Sequence, residues 1–350
     1  MIQTEYLICG EGGGHRRGGG RQYLCRAFWR FFQTLLLSVL MVLLTACGAE
    51  ASSTGTATEV ADTTYSPAEA PSGAVSSAAG TGGYAAPALS VSVFHRDKAK
   101  GEAGALLDLS AASDGYVGVS ATSAGRLKFQ VLKDGQTYTY DLKSDGTPSI
   151  FPLQMEDGMY TFRVLENVSG TKYAVMYSAD ETISIKDPYC PYLCASDYVS
   201  YTDDSACVKK AAELAAGAAD ANGVISAVYE YICAGVTYDR EKAKTVQAGY
   251  MPVPDETLAT GKGICFDYAS LAAAMLRSQG IPCKVIFGYV SPNEVYHAWN
   301  MFYTEETGWI TVGFEVKGGV WTRMDLTFSA NGANADFIGD GSNYADVYYY

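Results

Sequence analysis

Between residues 89 and 186, apolar and polar side chains alternate in short segments. Leu127, Phe129 and Val131 are separated by polar residues, and Asp134-Gly135 then leads into Tyr138-Thr139-Tyr140. A period of two residues is typical of a half-buried strand, and Asp-Gly is typical of a tight hairpin turn. About seven such segments, separated by turns, predict a small antiparallel β-sandwich over residues 89–186.

From Asp203 onward the apolar period lengthens to that of a helix. A first helix is expected after the capping candidates Asp203-Asp204-Ser205, and a second from about Val224 to Ala234 with a cap near Asn222. A polar loop through Pro252 and Pro254 follows. The third helix is predicted to begin at Cys265, to run from Phe266 to Gln279, and to stop at Gly280-Ile281-Pro282. Strands are then expected at residues 284–289, 297–303, 308–314 and 320–326. Helices followed by strands predict an α+β domain over residues 187–350.

Residues 1–47 have the pattern of an export signal. Five arginines precede an apolar stretch from Phe31 to Ala46, which is short for a spanning helix. The stretch ends in Leu44-Thr45-Ala46-Cys47, which looks like a bacterial lipobox that would place a lipid on Cys47. The alternative is a chance cysteine after a membrane anchor, and both alternatives place the rest of the chain outside the cytoplasm. The basic region is long, so a start downstream of Met1 stays open.

Residues 48–88 are rich in Ser, Thr, Ala and Gly with few large apolar side chains, so we expect a disordered tether. Without residues 1–46 the chain has 36 acidic and 20 basic residues, a net charge near −16. This charge argues against nucleic acid as a partner, which needs a basic surface. It also argues against adhesion to anionic lipid by charge alone, so a membrane partner would be reached through the lipid at Cys47.

Six cysteines lie in the predicted domains, out of nine in the chain. Cys207 and Cys233 fall in apolar helical patterns, where buried free thiols are common. Cys190 and Cys194 flank a Pro-Tyr-Leu turn and form the possible disulfide. A metal site is not expected, because the C-x3-C spacing is loose and the late histidine has another role.

That histidine is His297, which lies 32 residues after Cys265 and 28 before Asp325. A thiol nucleophile, an imidazole base and a carboxylate that orients the ring are the three parts of a thiol acyl-transfer site. The other two histidines, His15 and His95, lie far from this segment. The exposed N–H groups and positive dipole at a helix start favour a thiolate at Cys265.

The segment from about Ala234 to Phe328 resembles the transglutaminase-like superfamily of papain-related thiol enzymes. The matching residues are Tyr238-Asp239, Gly261 to Ala269, Leu276-Arg277, Gly280-Ile281-Pro282, His297 to Asn300, Gly308-Trp309 and Trp321 with Asp325-Leu326-Thr327. The resemblance implies Cys265 as nucleophile, His297 as base and Asp325 as the orienting carboxylate. Many relatives carry a tryptophan, three further residues and then an acid soon after the histidine strand, whereas here Ile310 to Gly313 after Trp309 holds no acid. Trp321 and Asp325 repeat this spacing, so Asp325 takes the role and Glu315 is the second candidate.

Three roles stay open. Asp267 and Tyr268 either act in catalysis or complement the helix dipole and pack. Trp299 either shields the ion pair or fills the core. The backbone N–H of Cys265 is the candidate oxyanion donor.

The sequence therefore predicts an exported, lipid-anchored thiol enzyme that forms a thioester at Cys265 from a peptide or carboxamide bond. Hydrolysis would make it a peptidase or deamidase, and amine transfer a transglutaminase. Bacterial relatives favour hydrolysis of protein or cell-wall peptide, and no cofactor is expected. The alternative is a non-catalytic cell-surface binding or scaffold module that retains the fold.

The sandwich is interpreted as a spacer domain rather than a carbohydrate- or wall-binding module, because its sequence shows no unusual polar cluster.

Overall fold

Two four-stranded antiparallel sheets come first along the chain in the computed structural model. It describes residues 83–350 except 103, 293, 306–308, 312–313, 317–319 and 333–340. The first eight strands are Lys100–Glu102 (β1), Ala105–Asp108 (β2), Tyr116–Ala121 (β3), Leu127–Lys133 (β4), Gln136–Leu142 (β5), Ser149–Pro152 (β6), Gly158–Ser169 (β7) and Lys172–Ile183 (β8). The sheet orders are β1-β2-β3-β6 and β5-β4-β7-β8.

The alternating pattern brings these two sheets face to face. In β4 and β5 every second side chain is buried, and the buried rings meet the other sheet. Phe129 of β4 and Tyr140 of β5 lie 5.1 and 4.3 Å from the ring of Phe151 in β6. The predicted antiparallel sandwich is therefore confirmed, with one strand more than expected.

Six helices are described in the second half of the chain. They are Ala206–Ala215 (α1), Ala221–Gly235 (α2), Arg240–Thr245 (α3), Pro254–Thr260 (α4), Cys265–Ser278 (α5) and Leu326–Ala330 (α6). The three long helices were predicted, and α5 begins at Cys265 as expected. Two details were wrong. The side chain that caps α2 is Asp220 rather than Asn222, and the polar loop before Gly261 contains the short helices α3 and α4.

The remaining strands form a sheet and two small ribbons. They are Thr237–Tyr238 (β9), Lys262–Gly263 (β10), Cys283–Val290 (β11), Val295–Thr304 (β12), Trp309–Thr311 (β13), Phe314–Val316 (β14), Val320–Met324 (β15) and Tyr344–Tyr349 (β16). β11, β12, β15 and β16 form an antiparallel sheet of order β15-β12-β11-β16, β9 pairs with β10, and β13 with β14. The strand expected at 308–314 is thus a short hairpin, and β16 was not predicted. Helices precede this sheet, so the α+β fold class is confirmed.

Helix α5 lies inside the domain, and every residue from Phe266 to Ser278 is buried. Burial on all sides makes α5 a core helix, and its alanines allow close packing. The Asn300 side chain of β12 donates to the Ala269 carbonyl of α5 at 2.9 Å. This bond ties the helix to the sheet and so limits how far Cys265 can move relative to β12.

The sandwich and the helical part share one continuous hydrophobic core. Tyr138 and Tyr140 of β5 each lie 5.8 Å from the ring of Tyr350, which follows β16. Arg277 of α5 is buried and donates to the backbone oxygens of Cys283, Cys194 and Tyr350. These contacts hold the sandwich against the sheet that carries His297.

Cys190 and Cys194 are free thiols in this structure. They flank a short 3₁₀ turn, Cys190–Tyr192, and Cys194 Sγ is directed to the Pro191 carbonyl at 3.3 Å. The possible disulfide is therefore not formed, because the turn directs the Cys194 sulfur towards a local backbone acceptor.

The predicted export signal, lipidated Cys47 and most of the tether lie outside the described residues. Within the described part of the chain, no helix has the length and apolarity needed to cross a membrane.

Candidate active site

The structure brings Cys265, His297 and Asp325 together at the edge between α5 and the sheet β15-β12-β11-β16. Cys265 is half-buried at the first position of α5, His297 lies in β12, and Asp325 directly follows β15. His297 and Asp325 are 5% and 1% exposed. The three residues singled out from the sequence thus lie in one region of the structure.

The pairing of β12 with β15 explains why two residues 28 positions apart meet. Asn300 lies opposite Met324, so the next residue along β15, Asp325, falls beside the stretch that carries His297. His297 Nε2 lies 2.8 Å from Asp325 Oδ2. Because this bond uses Nε2, Nδ1 is the ring nitrogen left for the thiol, and His297 and Cys265 line the same cavity.

Asp325 has a second role as the cap of α6. Its Oδ1 accepts from the Phe328 backbone N–H at 3.0 Å, and its Oδ2 also accepts from the Tyr344 hydroxyl at 3.0 Å. Three donors thus hold the carboxylate in one orientation. A fixed carboxylate in turn fixes the imidazole ring that donates to it.

The electrostatics of the pair favour a charged imidazole. Burial disfavours the charged ring, but the Asp325 carboxylate and its hydrogen bond outweigh burial and raise the pKa of His297 to about 10. His297 therefore carries a proton at neutral pH. A protonated imidazole beside a cysteine is the arrangement that favours a thiolate nucleophile.

Aromatic rings cover the imidazole. The Phe328 ring stacks at 4.5 Å from His297, and the Trp299 ring lies at 6.1 Å on the same strand. Trp299 is 1% exposed and its ring meets Tyr344 at 4.9 Å. Both suggested roles of Trp299 therefore apply, since it fills the core and also excludes water from one side of the ion pair.

Gly288 shows why this part of the sheet needs a residue without a side chain. It lies opposite His297, and a Cβ at Gly288 would come within 2.1 Å of the Ala345 oxygen and 2.7 Å of the Trp299 ring. Only glycine lets β16 and Trp299 approach this closely. The close approach of β16 to Gly288 also brings Tyr344, the first residue of β16, near Asp325.

Asp267 is fully buried but belongs to a different network. Its Oδ2 accepts from the Ile264 N–H at 2.7 Å and pairs with Lys242 Nζ at 2.8 Å, while Oδ1 accepts from the Tyr250 hydroxyl at 2.5 Å. Lys242 and Tyr250 come from α3 and from the loop 246–253. Despite partial burial, the bond to Asp267 raises the pKa of Lys242.

The open roles of Asp267 and Tyr268 are thereby resolved in favour of structure. Asp267 accepts a hydrogen bond from the backbone N–H at the start of α5. A Cβ at Gly263 would lie only 2.6 Å from the Asp267 Cβ, so the glycine makes room for the aspartate side chain. The Tyr268 hydroxyl donates to the Val236 carbonyl at 2.7 Å. None of these bonds reaches the Cys265 sulfur. Sequence reasoning did not find Lys242, Tyr250 or Tyr344, because nothing local marks which distant loop or strand will meet a buried acid.

The sheet and the central helix that begins at Cys265 form a transglutaminase-like fold. Residues 208–314 match the family model described as the transglutaminase-like superfamily. The resemblance drawn from the residues is confirmed for this part of the chain.

Three known proteins illustrate the likeness. A UPF0252 protein of Methanocaldococcus jannaschii is 31% identical over 67 residues, which cover 18% of this chain and 19% of that protein. The chain therefore matches about a fifth of the length of this curated relative. A solved structure from Cytophaga hutchinsonii, for which cysteine protease activity has been proposed, has a TM-score of 0.33 and 13% identity, covering 72% of this chain and 91% of that one. Red sea bream transglutaminase has a TM-score of 0.25 and 14% identity, covering 66% and 50%. The coverage, identities and TM-scores of these three matches are too low to identify a substrate of this chain.

Proposed function

We propose that this protein is a thiol acyl-transfer enzyme in which Cys265 attacks the carbonyl carbon of a peptide or carboxamide group. The observation that carries the proposal is that Cys265 and His297 line one cavity and that His297 is hydrogen-bonded to the buried Asp325. A cysteine at a helix start, a protonated imidazole and an orienting carboxylate supply the nucleophile, the proton and the ring geometry.

The reaction has two steps. In the first, the Cys265 sulfur bonds to the carbonyl carbon, and the developing oxyanion accepts from the Cys265 backbone N–H, which has no acceptor within the helix. His297 gives its proton to the leaving amine, the C–N bond breaks, and a thioester remains. In the second, neutral His297 takes a proton from water or from an amine, which attacks the thioester and releases the thiolate.

The choice between water and an amine decides the class of enzyme. Water gives an acid and makes the protein a peptidase or deamidase, whereas a primary amine gives a crosslinked amide. We favour hydrolysis of protein or cell-wall peptide.

We further propose that the protein acts outside the cytoplasm, held at the membrane by a lipid on Cys47. Residues 48–88 would then form the tether, residues 89–186 the sandwich domain and residues 187–350 the catalytic domain.

Alkylation by iodoacetamide tests the thiol. At pH 6–7 Cys265 should be alkylated at least about 10-fold faster than an ordinary thiol, because only a thiolate reacts. Cys233 is a matched control: it too is half-buried, but burial raises its pKa to about 12. Cys265→Ala should remove the fast phase and Cys233→Ala should leave it intact. Equal slow labelling of both thiols would contradict the proposal and favour a non-catalytic binding module.

A peptide library, incubated with and without an added primary amine, separates the reactions. New termini identify a peptidase, a gain of about one mass unit identifies a deamidase, and a mass gain equal to the amine minus ammonia identifies a transglutaminase. Cys265→Ala should abolish whichever product forms.

A further inference from the structure

One cavity of about 370 Å³ contains both Cys265 and His297. Its floor is aromatic and is formed by the part of the chain that carries the thiol: Phe266, Phe287, Tyr198 and Tyr350. Its opposite wall comes from the sandwich. Thr137, Thr139 and Asp141, three alternate residues of β5, line the same cavity.

β5 is well placed to form a rigid wall. It is an edge strand whose outward face carries Thr137, Thr139 and Asp141, because the strand period directs alternate side chains to opposite sides. The inward side chains Tyr138 and Tyr140 are 8% and 0% exposed. Their rings pack on Tyr350, so the strand cannot shift without disturbing the core beneath the cavity floor.

The floor is built of rings that are already packed against each other. Phe266 and Phe287 meet edge to face at 4.8 Å, and Tyr198 stacks on Tyr350 at 4.1 Å. Such a floor presents flat apolar surface, which suits a large apolar side chain. The carboxylate of the wall, Asp141, is already paired with Lys128 at 2.9 Å. The wall therefore contributes shape and threonine hydroxyls more than charge.

The loop 246–253 closes a further side of the cavity. Val246, Gly249 and Tyr250 line it, and a Cβ at Gly249 would lie 3.3 Å from Asp141 Oδ2. The loop and β5 are thus in near contact. The volume lies at the low end of the range for ligand pockets, about 300–1,000 Å³, which fits one or two residues of a peptide rather than a longer segment.

We propose that β5 of the sandwich is a specificity-determining wall of the acyl-donor site. The slot between β5 and the aromatic floor binds a large apolar side chain next to the carbonyl that Cys265 attacks. The substrate class is then a peptide with an aromatic or large aliphatic residue at that position. This inference rests on the proposed thiol chemistry, and it makes the sandwich part of the active site rather than a spacer.

Covalent probes test the slot without a known substrate. The full chain is treated separately with iodoacetamide, with N-acetyl-phenylalanine chloromethyl ketone and with the corresponding glycine chloromethyl ketone, and the alkylation rate at Cys265 is measured by mass spectrometry. A single methylene in a hydrophobic pocket already discriminates by about 10- to 200-fold, and the benzyl group of phenylalanine is larger than one methylene. We expect the phenylalanine probe to react at least about 10-fold faster than the glycine probe.

Thr139→Arg would fill the slot from the wall. With each chloromethyl ketone rate divided by the iodoacetamide rate of the same variant, it should reduce the phenylalanine preference to less than about threefold, and Thr137→Arg should act in the same direction. Thr161→Arg is the matched control, since Thr161 lies on the same outer face of this sheet, two strands from β5, and does not line the cavity. It should keep the full preference.

The outcomes separate the two proposals. Fast iodoacetamide labelling without a phenylalanine preference, or a preference that Thr139→Arg leaves unchanged, overturns the role of β5 and leaves the thiol chemistry intact. Slow labelling of Cys265 by all three reagents overturns the proposed function and the slot together. Since Thr139 is exposed, its replacement is not expected to prevent folding, and Thr139→Ala offers a milder second variant.

Discussion

Two buried aspartates, Asp325 and Asp267, have the same kinds of partner. Each accepts from a backbone N–H at a helix start, from a tyrosine hydroxyl and from a basic side chain. For Asp325 the partners are Phe328 N–H, Tyr344 and His297. For Asp267 they are Ile264 N–H, Tyr250 and Lys242.

The difference lies in what the basic side chain meets next. His297 lines one cavity together with the Cys265 thiol, whereas Lys242 lies over the ring of Tyr250, 4.4 Å from its centre. The same local chemistry therefore orients an imidazole near the thiol in one place and clamps a loop to the start of α5 in the other. Which role an acid has depends on the element that carries its partner, and substitutions at both sites can test that distinction.

The largest expected effect is on activity at the first site. Asp325→Asn should lower kcat/KM by about 1,000-fold, because an amide cannot hold the protonated imidazole in its orientation. The fold should survive, since the amide oxygen can still accept from Phe328 N–H. Asp267→Asn is the control and should lower kcat/KM by less than about 10-fold. Equal losses in the two variants would contradict the assignment of separate roles.

At the second site the expected effect is on stability. Asp267→Asn leaves Lys242 without its charge partner and should lower the free energy of unfolding by about 2 kcal/mol, below the usual cost of a fully buried pair because Lys242 is partly exposed. Urea unfolding of the full chain measures this change. A stability equal to that of the native chain would show that Lys242 and Tyr250 do not clamp the loop.

The next expected effect is on the pH dependence of kcat/KM, which should differ between substitutions in the His297–Asp325 pair and in the Lys242–Asp267 pair. Because Asp325 holds the pKa of His297 at about 10, the proton needed by the leaving amine is present at neutral pH and is lost as pH rises through 10. The alkaline limb of the kcat/KM profile should therefore lie near pH 10. In Asp325→Asn it should move down towards the ordinary imidazole value of 6.5, and in Asp267→Asn it should stay in place.

The same raised pKa has a consequence for folding. A group that is protonated more readily in the folded chain stabilises it fully below its unfolded value of 6.5, and this contribution is lost as pH rises through about 10. The difference in unfolding free energy between the native chain and Asp325→Asn should thus shrink between these two pH values. A constant difference over that range would contradict the raised pKa.

The smallest expected effects come from the two tyrosines. Tyr344→Phe and Tyr250→Phe each remove one hydrogen bond to a buried carboxylate and should each cost about 1 kcal/mol of stability. Tyr344→Phe should in addition lower kcat by a few-fold, because Asp325 is held less firmly. Tyr250→Phe should affect kcat less, because its hydroxyl binds Asp267 rather than Asp325.

Much of the site could be predicted from the sequence because its parts leave local marks. Cys265 precedes an alanine-rich apolar run, which predicts a buried helix with the thiol at its exposed start. His297 lies in a strand pattern, and the spacing to Asp325 follows that of the resembling family. The alternation in Leu127, Phe129 and Val131 likewise predicts a strand with one buried face.

Other features have no local mark. The polar stretch before Gly261 predicts a loop, yet Asp239 caps α3 with its carboxylate and Pro254 begins α4. The spacing of Cys190 and Cys194 allows a bridge, but the 3₁₀ turn directs the Cys194 sulfur to a carbonyl. The tyrosine-rich end of the chain has no clear alternation, and pairing with β11 makes it the strand β16.

The sequence by itself determined the fold class and the two kinds of secondary structure, since these depend on residue type and spacing over a few turns. It also singled out a thiol, an imidazole and a carboxylate as the candidate site, through their order along the chain and the resemblance to a family. Only the tertiary structure decided that Tyr344 holds Asp325, that Lys242 and Tyr250 bind Asp267, and that β5 lines the cavity beside Cys265. These are contacts between residues distant in sequence. They depend on how sheets and helices pack, which no local pattern records.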